Sequence, residues 1–388
     1  MTCETLASSR FAGVLDVVRA LAPSEPVYCL RPEVVQARAA QFVAAFPGRV
    51  LYAVKCNSHP LLISALVDGG IEAFDTASLA EITQIGEGWP GAACYFMNPV
   101  KARPAIRAAR RAGVSAFALD HPDELAKLAA ELGRDPEVVA VVRLRTDARG
   151  AAVFHLDSKF GAPPELAATL LREAAALGFR PGLAFHVGSQ CLSPDAYTAA
   201  LAQAGQVLDR AGVAPACLDI GGGFPAPYAP DSTPPLDAFL SAIRAGLAAL
   251  DLPPGCQVLA EPGRALVAEG ASLLLQVQLR KGQRLYLNDG VFGGLGEMAA
   301  AKLRLTGRVL RPGGEVSGPL RAFDAAGPTC DSLDVMPGLL RLPETVQEGD
   351  WIALPCMGAY SSALASRFNG FGEARFITLE AEGARVAA

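Results

Sequence analysis

The sequence predicts an α/β fold, a (β/α)8 TIM-type barrel with a C-terminal antiparallel β domain. Eight short apolar runs alternate with amphipathic segments rich in Ala and Leu between about residues 50 and 260. Many of these amphipathic segments end in Gly, which is typical of helix C-termini. After Glu261 the apolar runs are broken by Gly, Pro and Asp, and helical periodicity is largely lost.

The eight apolar runs are interpreted as the barrel strands. Eight consecutive βα units favour a closed barrel over an open sheet, because an open sheet of this kind usually has fewer strands. The predicted strands are VLYAV (50–54), IEAF (71–74), CYFM (94–97), SAFAL (115–119), VVAVVRL (138–144), GLAFHV (182–187), CLDI (217–220) and QVLA (257–260).

The chain is long enough for two domains. We expect the barrel to span residues 30–270, with the proline-rich segment 224–235 as a loop inside it. Residues 271–388, joined by residues 1–29, are predicted to form a β-sandwich or barrel-like domain.

Composition excludes several classes of function. Hydrophobic residues make up 51% of the 388 residues, enough for a large core, and the net charge of −5 gives no basic surface for nucleic acid or anionic membrane. The nine cysteines include no CxxC pair, and none of the four histidines has metal-ligand spacing. The N-terminus lacks a signal-peptide pattern, and no 18-residue apolar run occurs. We therefore expect a soluble, cytoplasmic protein without a metal.

Polar residues follow the predicted strands at the end where barrel enzymes carry their chemistry. A single residue at such a position would carry little weight, but seven at the same mouth describe a site. They are Lys55, Asp75, Asn98, Arg143, His186, the run Gly221–Gly223, and the segment from Glu261 to Arg264.

Lys55 ends an apolar run, which suggests either a strand that has reached water or an amine held for chemistry on a carbonyl. The three glycines expose backbone N–H groups where barrels commonly bind phosphate, and Arg264 adds a charged donor. A phosphate site beside a lysine suggests pyridoxal phosphate held as a Schiff base. Glu261 could then face the pyridine nitrogen and His186 could stack on the ring, although a lone histidine is equally often a core residue.

The same residues lie within motifs that follow one another along essentially the whole chain. In this set and order, the sequence resembles the fold-type III pyridoxal-phosphate decarboxylases of the ornithine/lysine/diaminopimelate group. The motifs are YAVKCN (52–57), FDTAS (74–78), NPVK (98–101), HVGSQ (186–190), DIGGGFP (219–225), AEPGR (260–264), NDGVFG (288–293), GPTCDSLD (327–334), GAY (358–360) and FNGF (368–371).

The resemblance implies a role for each matching residue. Lys55 would form the Schiff base with the cofactor, His186 would stack on its ring, and Glu261 would pair with its pyridine nitrogen. The residues expected to bind the phosphate are Ser189, Gly222, Gly223, Arg264 and Tyr360. Those expected to form the polar network around the cofactor are Asp75, Glu81 and Arg143.

The resemblance also implies a homodimer with shared active sites. Cys330 would reach the partner's site and protonate the carbanion carbon, and Asp331 would bind the distal group of the substrate. Phe292 and Phe368 are assigned to the same substrate site. Read alone, Cys330 would be interpreted as a small buried residue, and only its motif favours a catalytic role.

The reaction implied is α-decarboxylation of a basic L-amino acid such as ornithine or lysine. One departure affects the substrate: the family's Tyr-Asp-His after NDG corresponds to Ala300, Ala301 and Lys302, which removes a carboxylate for a distal ammonium. Arg367 also stands where the family usually has a small polar residue. The alternative is therefore a larger or carboxylate-bearing amino acid from a specialised, siderophore-type pathway.

Three other classes fit the motifs less well. A racemase of this fold would normally have arginine facing the pyridine nitrogen, where this chain has Glu261. A silent regulatory relative should have lost Lys55 or Cys330, and a small cofactor carrier would lack the β domain.

Overall fold

The structure, a computed structural model, describes residues 11–146, 151–154, 159–228 and 233–381. The strands in these ranges are β1 Val27–Leu30, β2 Arg49–Ala53, β3 Ala73–Thr76, β4 Ala93–Phe96, β5 Ala116–Leu119, β6 Val139–Arg143, β7 Ala152–Phe154, β8 Arg180–Ala184, β9 Ser189–Cys191, β10 Cys217–Asp219, β11 Gln257–Ala260, β12 Ala271–Lys281, β13 Arg284–Leu287, β14 Leu305–Thr306, β15 Arg308–Arg311, β16 Gly314–Val316, β17 Leu320–Ala326, β18 Val335–Pro343, β19 Trp351–Leu354 and β20 Arg375–Thr378.

The helices in the same ranges alternate with the first eleven strands and then become rare. They are α1 Val14–Leu21, α2 Pro32–Ala45, α3 Pro60–Asp68, α4 Leu79–Gly88, α5 Arg103–Arg111, α6 Pro122–Leu132, α7 Pro164–Ala176, α8 Asp195–Ala211, α9 Leu236–Ala248, α10 Arg264–Val267 and α11 Gly296–Ala300. None of these helices is long and apolar enough to span a membrane.

The chain divides into two compact units, which we call the barrel unit and the β unit. The barrel unit contains the described residues of 37–225 and 233–266, and the β unit contains residues 11–36, 226–228 and 267–381.

A closed barrel of eight parallel strands forms the centre of the barrel unit. Around the barrel the order is β2, β3, β4, β5, β6, β8, β10 and β11, and β11 pairs with β2 to close the ring. Each predicted strand corresponds to one of these eight, so the predicted barrel is confirmed. The run GLAFHV ends as a strand at Ala184, two residues before His186, which places that histidine on the loop that follows β8.

The barrel interior is filled mostly by small side chains. Alternate residues of a strand point to opposite faces, and those pointing inward form one apolar cluster. Its buried members are Leu51, Ala73, Met97, Ala116, Ala118, Val141, Ala184, Cys217 and Leu259. The larger side chains Tyr52, Phe74 and Phe117 are also fully buried.

One ten-stranded sheet dominates the β unit. Its main path runs β14, β18, β17, β13, β12, β19, β15 and β16, and β1 pairs with both β12 and β20. The sheet is mixed, so the predicted purely antiparallel pairing is wrong in part: β1–β20, β13–β17 and β14–β18 are parallel. These pairs join strands distant in sequence, and parallel neighbours need such long connections, whereas hairpins can only be antiparallel.

A buried ion pair lies on the loop that follows β4. The side chain of Lys101 is fully buried, and its Nζ lies 3.1 Å from Oε1 of Glu124, which is 4% exposed. The same ammonium donates to the carbonyl of Asn98 at 3.0 Å and to that of Ala118. Burial lowers the pKa of Lys101 to about 8, and the charge of Glu124 partly offsets that effect. Lys101 thus ties the loop after β4 to strand β5 and to the first turn of α6.

We expect Lys101→Met to lower the free energy of unfolding by about 3–5 kcal/mol, because it leaves carbonyls and a carboxylate buried without their donor. Lys127 is the matched control, since it pairs with the same Glu124 but has a side chain 19% exposed. Lys127→Met should cost about 1 kcal/mol or less. Urea unfolding of the cofactor-free variants measures both, and equal losses would contradict a special role for Lys101.

Candidate active site

Lys55 projects from a tight turn at the end of β2. The turn is a 3-10 helix, Val54–Cys56, in which Val54 and Cys56 are buried and the Lys55 side chain is 45% exposed. The end of β11 holds this turn, because the N–H of Ala53 donates to the carbonyl of Pro262 at 3.2 Å. A Cβ on Gly263 would lie 2.8 Å from the Cβ of Cys56, so only glycine lets the two loops approach.

The amine of Lys55 pairs with a buried carboxylate on the adjacent strand. Its Nζ lies 2.5 Å from Oδ2 of Asp75 on β3, and the Asp75 side chain is 1% exposed. The other oxygen, Oδ1, is buried and has no hydrogen-bond partner among the described residues. This carboxylate therefore has an unused acceptor at the barrel mouth.

Two more carboxyl groups lie close to Asp75. Glu261 follows β11, and Asp219 ends β10 with a side chain that is fully buried. Burial raises the pKa of Glu261 well above its ordinary value, the charges of Asp219 and Asp75 add to this, and Lys55 and Arg143 oppose it. Burial is also the main reason that the pKa of Asp219 is raised. At least one carboxyl group of this cluster therefore holds a proton near neutral pH.

Arg143 is the second cation of the mouth. It ends β6, and its guanidinium lies 5.5 Å from the centre of the Phe160 ring. Burial lowers its pKa, and the nearby carboxylates, first Glu261, raise it again. Arg143 therefore offsets part of the negative charge of the acids at the mouth.

His186 is neutral in this environment. Burial first, then the charges of Arg143 and Lys55, hold the pKa of His186 well below its ordinary 6.5. Its Nδ1 accepts a hydrogen bond from the N–H of Gly188 at 3.0 Å, which places the ring proton on Nε2. A neutral imidazole with a fixed plane is suited to stack on an aromatic ring.

The glycine run after β10 lies between His186 and Glu261. A Cβ on Gly222 would meet the carbonyl oxygen of Glu261 at 2.4 Å, and one on Gly223 would meet that of Gly188 at 2.4 Å. Gly223 also has a φ of +108°, which disfavours other residues. The N–H groups of Gly222 and Gly223 donate no hydrogen bond to any other part of the described chain. Two donors are thus available for an anion.

Ser189 and Arg264 meet beside this run. The guanidinium of Arg264, which is 3% exposed, donates to Oγ of Ser189 at 3.1 Å. The same guanidinium lies 5.5 Å from the ring centre of Phe154, the residue paired with Ser189 across β7 and β9. These contacts hold a hydroxyl and a cation in one place, which is the donor set a phosphate requires.

Glu81 has a structural task that the sequence did not predict. Its carboxylate accepts the N–H of Ala77 at 2.6 Å, and Oγ of Ser78 accepts the N–H of Glu81 at 3.2 Å. These two bonds cap the start of α4, with the Glu81 carboxylate reaching the residue before the Ser78 N-cap. Glu81 therefore fixes the turn that follows β3, the strand that carries Asp75.

Cys330 and Asp331 lie in the β unit on an exposed turn. The thiol of Cys330 donates to Oδ1 of Asn369 at 3.4 Å, and Asp331 accepts the N–H of Leu333 at 2.8 Å. Asp334 anchors the turn, because its carboxylate accepts from Thr329 at 2.7 Å and from the N–H of Val291 at 2.8 Å. The thiol is therefore exposed, contrary to the buried position that its residue type alone would suggest.

The remaining predicted residues also belong to the β unit. The rings of Phe292 and Phe368 lie 4.6 Å apart, so Phe368 packs beside the Asn369 that holds the Cys330 thiol. Tyr360 is half-buried and has a φ of +51°. The barrel-unit residues thus converge at the mouth, whereas Cys330, Asp331, Phe292, Phe368 and Tyr360 belong to a separate unit.

The sequence did not predict the buried positions of two charged residues, Asp219 within DIGGGFP and Lys101 within NPVK. One sequence pattern could have identified both residues. Each is a charged residue in or near a buried apolar strand, where a charge needs a partner. The described residues contain no group of three His, Cys, Asp or Glu side chains that could hold a metal ion.

Comparisons with known proteins agree with this geometry. A family model described as "Pyridoxal-dependent decarboxylase, pyridoxal binding domain" matches residues 33–268. Ornithine decarboxylase of Panagrellus redivivus is 34% identical over 375 residues, which cover 89% of this chain and 84% of the relative. Lysine/ornithine decarboxylase of Selenomonas ruminantium is 35% identical over 345 residues, which cover 85% and 83%.

Among solved structures, the arginine decarboxylase of Paramecium bursaria Chlorella virus bound to agmatine has a TM-score of 0.83 at 28% identity. The match covers 94% of this chain and 98% of that one. The family resemblance predicted from the motifs is therefore confirmed. The chain belongs to the pyridoxal-dependent decarboxylases and is a carboxy-lyase that uses pyridoxal 5′-phosphate.

Proposed function

We propose that this protein decarboxylates a basic L-amino acid, releasing CO2 and the corresponding amine. The observation that carries the proposal is the barrel mouth, where the Lys55 amine, paired with Asp75, lies among the carboxyl groups of Asp219 and Glu261. The names of the relatives contain basic amino acids: they are ornithine, lysine/ornithine and arginine decarboxylases.

The residues at the mouth fit pyridoxal 5′-phosphate in charge and in hydrogen-bond donors. The N–H groups of Gly222 and Gly223, with Ser189 and Arg264, supply donors for its phosphate. The carboxyl cluster has more acids than bases, so it suits a cationic ring nitrogen facing Glu261. Tyr360 is proposed as a further phosphate donor from its motif.

When bound, pyridoxal 5′-phosphate supplies an electron-accepting ring that takes up the electron pair left by CO2. Lys55 would hold the cofactor through its amine, and Asp75 orients that amine and stabilises its positive charge. Neutral His186 offers a flat face without competing for a proton. Arg143 offsets the charge of the acids around it.

We propose that Cys330 donates the proton that replaces CO2 on the substrate carbon, in the site of a partner subunit. Its turn is exposed, and apolar side chains beside it face solvent: Leu333 is 72% exposed, Phe371 42% and Phe368 40%. Exposed apolar groups around a functional turn favour a covering partner. A homodimer with shared sites accounts for both features.

A cytoplasmic location is also proposed, since all eight described cysteines are free.

The distal group of the substrate is assigned to Asp331, Phe292 and Phe368. Ala301, one helical turn after the buried Glu297, stands where the family motif has an aspartate. With one carboxylate fewer at that position, we expect a weaker hold on a short diamino acid. A longer basic side chain is favoured.

The alternative, a carboxylate-bearing substrate, rests on the cations Lys302, Arg304 and Arg367. Arg367 is already paired, because its guanidinium lies 3.1 Å from the carboxylate of Glu373. This pairing favours the basic substrate.

Borohydride reduction of the purified protein should fix the cofactor on Lys55, since a Schiff base is reduced to a stable amine. Lys55→Ala should have no detectable turnover but should still bind pyridoxal 5′-phosphate through Arg264 and the glycine run. Peptide mass spectrometry locates the label. The exposed Lys281 provides the control, because Lys281→Ala should leave labelling and turnover unchanged. A label on any other lysine would refute the assignment.

Cys330→Ala should slow amine formation by about 10²-fold, the contribution expected of a general acid. It should also raise the share of aldehyde product, because the proton then reaches the cofactor carbon instead of the substrate carbon. Single-turnover product analysis measures the rate and the product ratio. Cys330→Ser keeps a proton donor, so its values should lie between those of the wild type and of Cys330→Ala. An unchanged product ratio in Cys330→Ala would reduce the residue to a packing role.

Mixing Lys55→Ala with Cys330→Ala subunits tests the shared site. Random exchange makes half the dimers mixed, each with one intact site, so about a quarter of wild-type activity should return. Native mass spectrometry verifies exchange, and light scattering verifies that the samples are dimers. Absence of recovery in verified mixed dimers would argue against sharing.

Ornithine should be a poorer substrate than lysine or a bulkier basic amino acid by at least about tenfold in kcat/KM, because a lost carboxylate costs about 1–3 kcal/mol. Ala301→Asp should shift the preference towards ornithine, whereas Ala299→Asp, two residues earlier and inside α11, should not. A CO2-release assay over ornithine, lysine, arginine, diaminopimelate and diaminobutyrate measures the preference. Efficient use of ornithine by the wild type, unaffected by Ala301→Asp, would contradict the assignment of this segment.

A further inference from the structure

Asp219 is a buried acid that the mechanism above does not use. It ends β10, and its side chain is 0% exposed. Its Oδ1 accepts the N–H of Gly221 at 2.8 Å, which fixes the start of the glycine run. Its Oδ2 has no hydrogen-bond donor among the described residues. A buried carboxylate oxygen without a donor is costly, so it requires a proton or a cation nearby.

Charged groups from four other elements of the barrel unit act on Asp219. Asp75 and Lys55 contribute from β3 and from the turn after β2, Arg143 from β6, and Glu261 from the loop after β11. Three carboxyl groups thus share the space with two cations, which leaves one acid in excess.

The two other titratable neighbours of Asp219 do not supply the missing charge. Burial raises the pKa of the Tyr95 hydroxyl on β4 and of the Cys217 thiol on β10, and the nearby Asp219 carboxylate adds to both effects. Both groups are therefore neutral.

The backbone ties Glu261 to Asp219, because the N–H of Glu261 donates to the carbonyl of Gly221 at 2.8 Å and the N–H of Gly221 donates to Oδ1 of Asp219 at 2.8 Å. Two buried carboxyl groups beside one another are stable only when one of them holds a proton or a cation pairs with them. We propose that Asp219 and Glu261 share one proton, and that Asp219 is a positioning residue that keeps Glu261 prepared to pair with the ring nitrogen of the cofactor. This inference rests on the proposed role of Glu261.

The charges at the mouth balance in the free site, where three carboxyl groups with one proton carry two negative charges, against two positive charges on Lys55 and Arg143. A ring nitrogen that pairs with Glu261 would take this proton, so that one O–H bond breaks and one N–H bond forms. The proton would then move within the site, and none would be taken from solution. Asp219 therefore stores the proton that this pairing needs.

Asp219→Asn is the matched test, because the amide keeps an acceptor for Gly221 and donates to Glu261 without a shared proton. Asp219 has a folded pKa above its ordinary 3.8, so the wild type loses stability as pH rises above that value, up to the folded pKa. The variant has no such group and does not lose stability in this way. The Tm of the variant minus that of the wild type should therefore increase by about 2–4 °C between pH 5 and pH 8.

Asp237→Asn, the same change at an exposed acid of α9, should show no such pH-dependent gain. A Tm difference between Asp219→Asn and the wild type that stays constant from pH 5 to pH 8 would overturn the shared proton. If that variant proves insoluble, Glu261→Gln removes the same proton from the other side and should give the same pH-dependent gain, whose absence would again overturn it.

Calorimetric titration of the cofactor-free protein with pyridoxal 5′-phosphate counts the protons taken up. Measured in two buffers of different ionisation enthalpy, Asp219→Asn should take up about one proton more than the wild type at pH 8, since the site no longer supplies it. Equal uptake would refute the inference.

Borohydride labelling of the same samples separates the two levels of proposal. A wild type not labelled at Lys55 would refute the proposed cofactor attachment. A wild type labelled there, together with equal proton uptake in both proteins, would refute the role of Asp219 alone.

Discussion

The structure depends on the confinement of five charged side chains at one end of a closed barrel. Lys55, Asp75, Arg143, Asp219 and Glu261 come from five different strands or strand ends, and only ring closure brings them together. In the partly buried mouth their charges are poorly screened, so each sets the protonation of the others. The fold therefore acts on the chemistry through electrostatics as well as through position.

Small residues make this confinement possible. The barrel interior contains Ala73, Ala116, Ala118 and Ala184, which leave the polar side chains room at the mouth. Gly222 and Gly263 let three loops approach so closely that a single added methyl group would collide with a neighbouring carbonyl or side chain. A larger side chain at either glycine would push apart the loops that carry Lys55, His186 and Glu261. Position and charge are thus specified by different residues.

Much of this arrangement could be predicted from the sequence, and the remainder has a physical explanation. The eight strands and the mouth residues follow from hydrophobic runs and from the polar residue after each, because the carboxyl ends of parallel strands meet at one edge. The parallel strand pairs of the β unit could not be predicted from the sequence. β1 and β20 are far apart in sequence, and no local pattern selects parallel neighbours. The capping task of Glu81 and the proton balance of Asp219 depend on distances that only the folded chain defines.

The excess acid at the mouth also links stability to cofactor binding. Three carboxyl groups beside two cations make the free barrel less stable than an apolar mouth would, because a buried acid must hold a proton or pair with a cation. A ligand that binds only the folded state and supplies the missing positive charge removes this cost and stabilises the fold by mass action. The charge that destabilises the free protein is therefore the same charge that selects a protonated ring nitrogen. Asp219 follows this logic closely, since one of its oxygens orders the glycine run for the phosphate and the other is buried without a donor among the described residues.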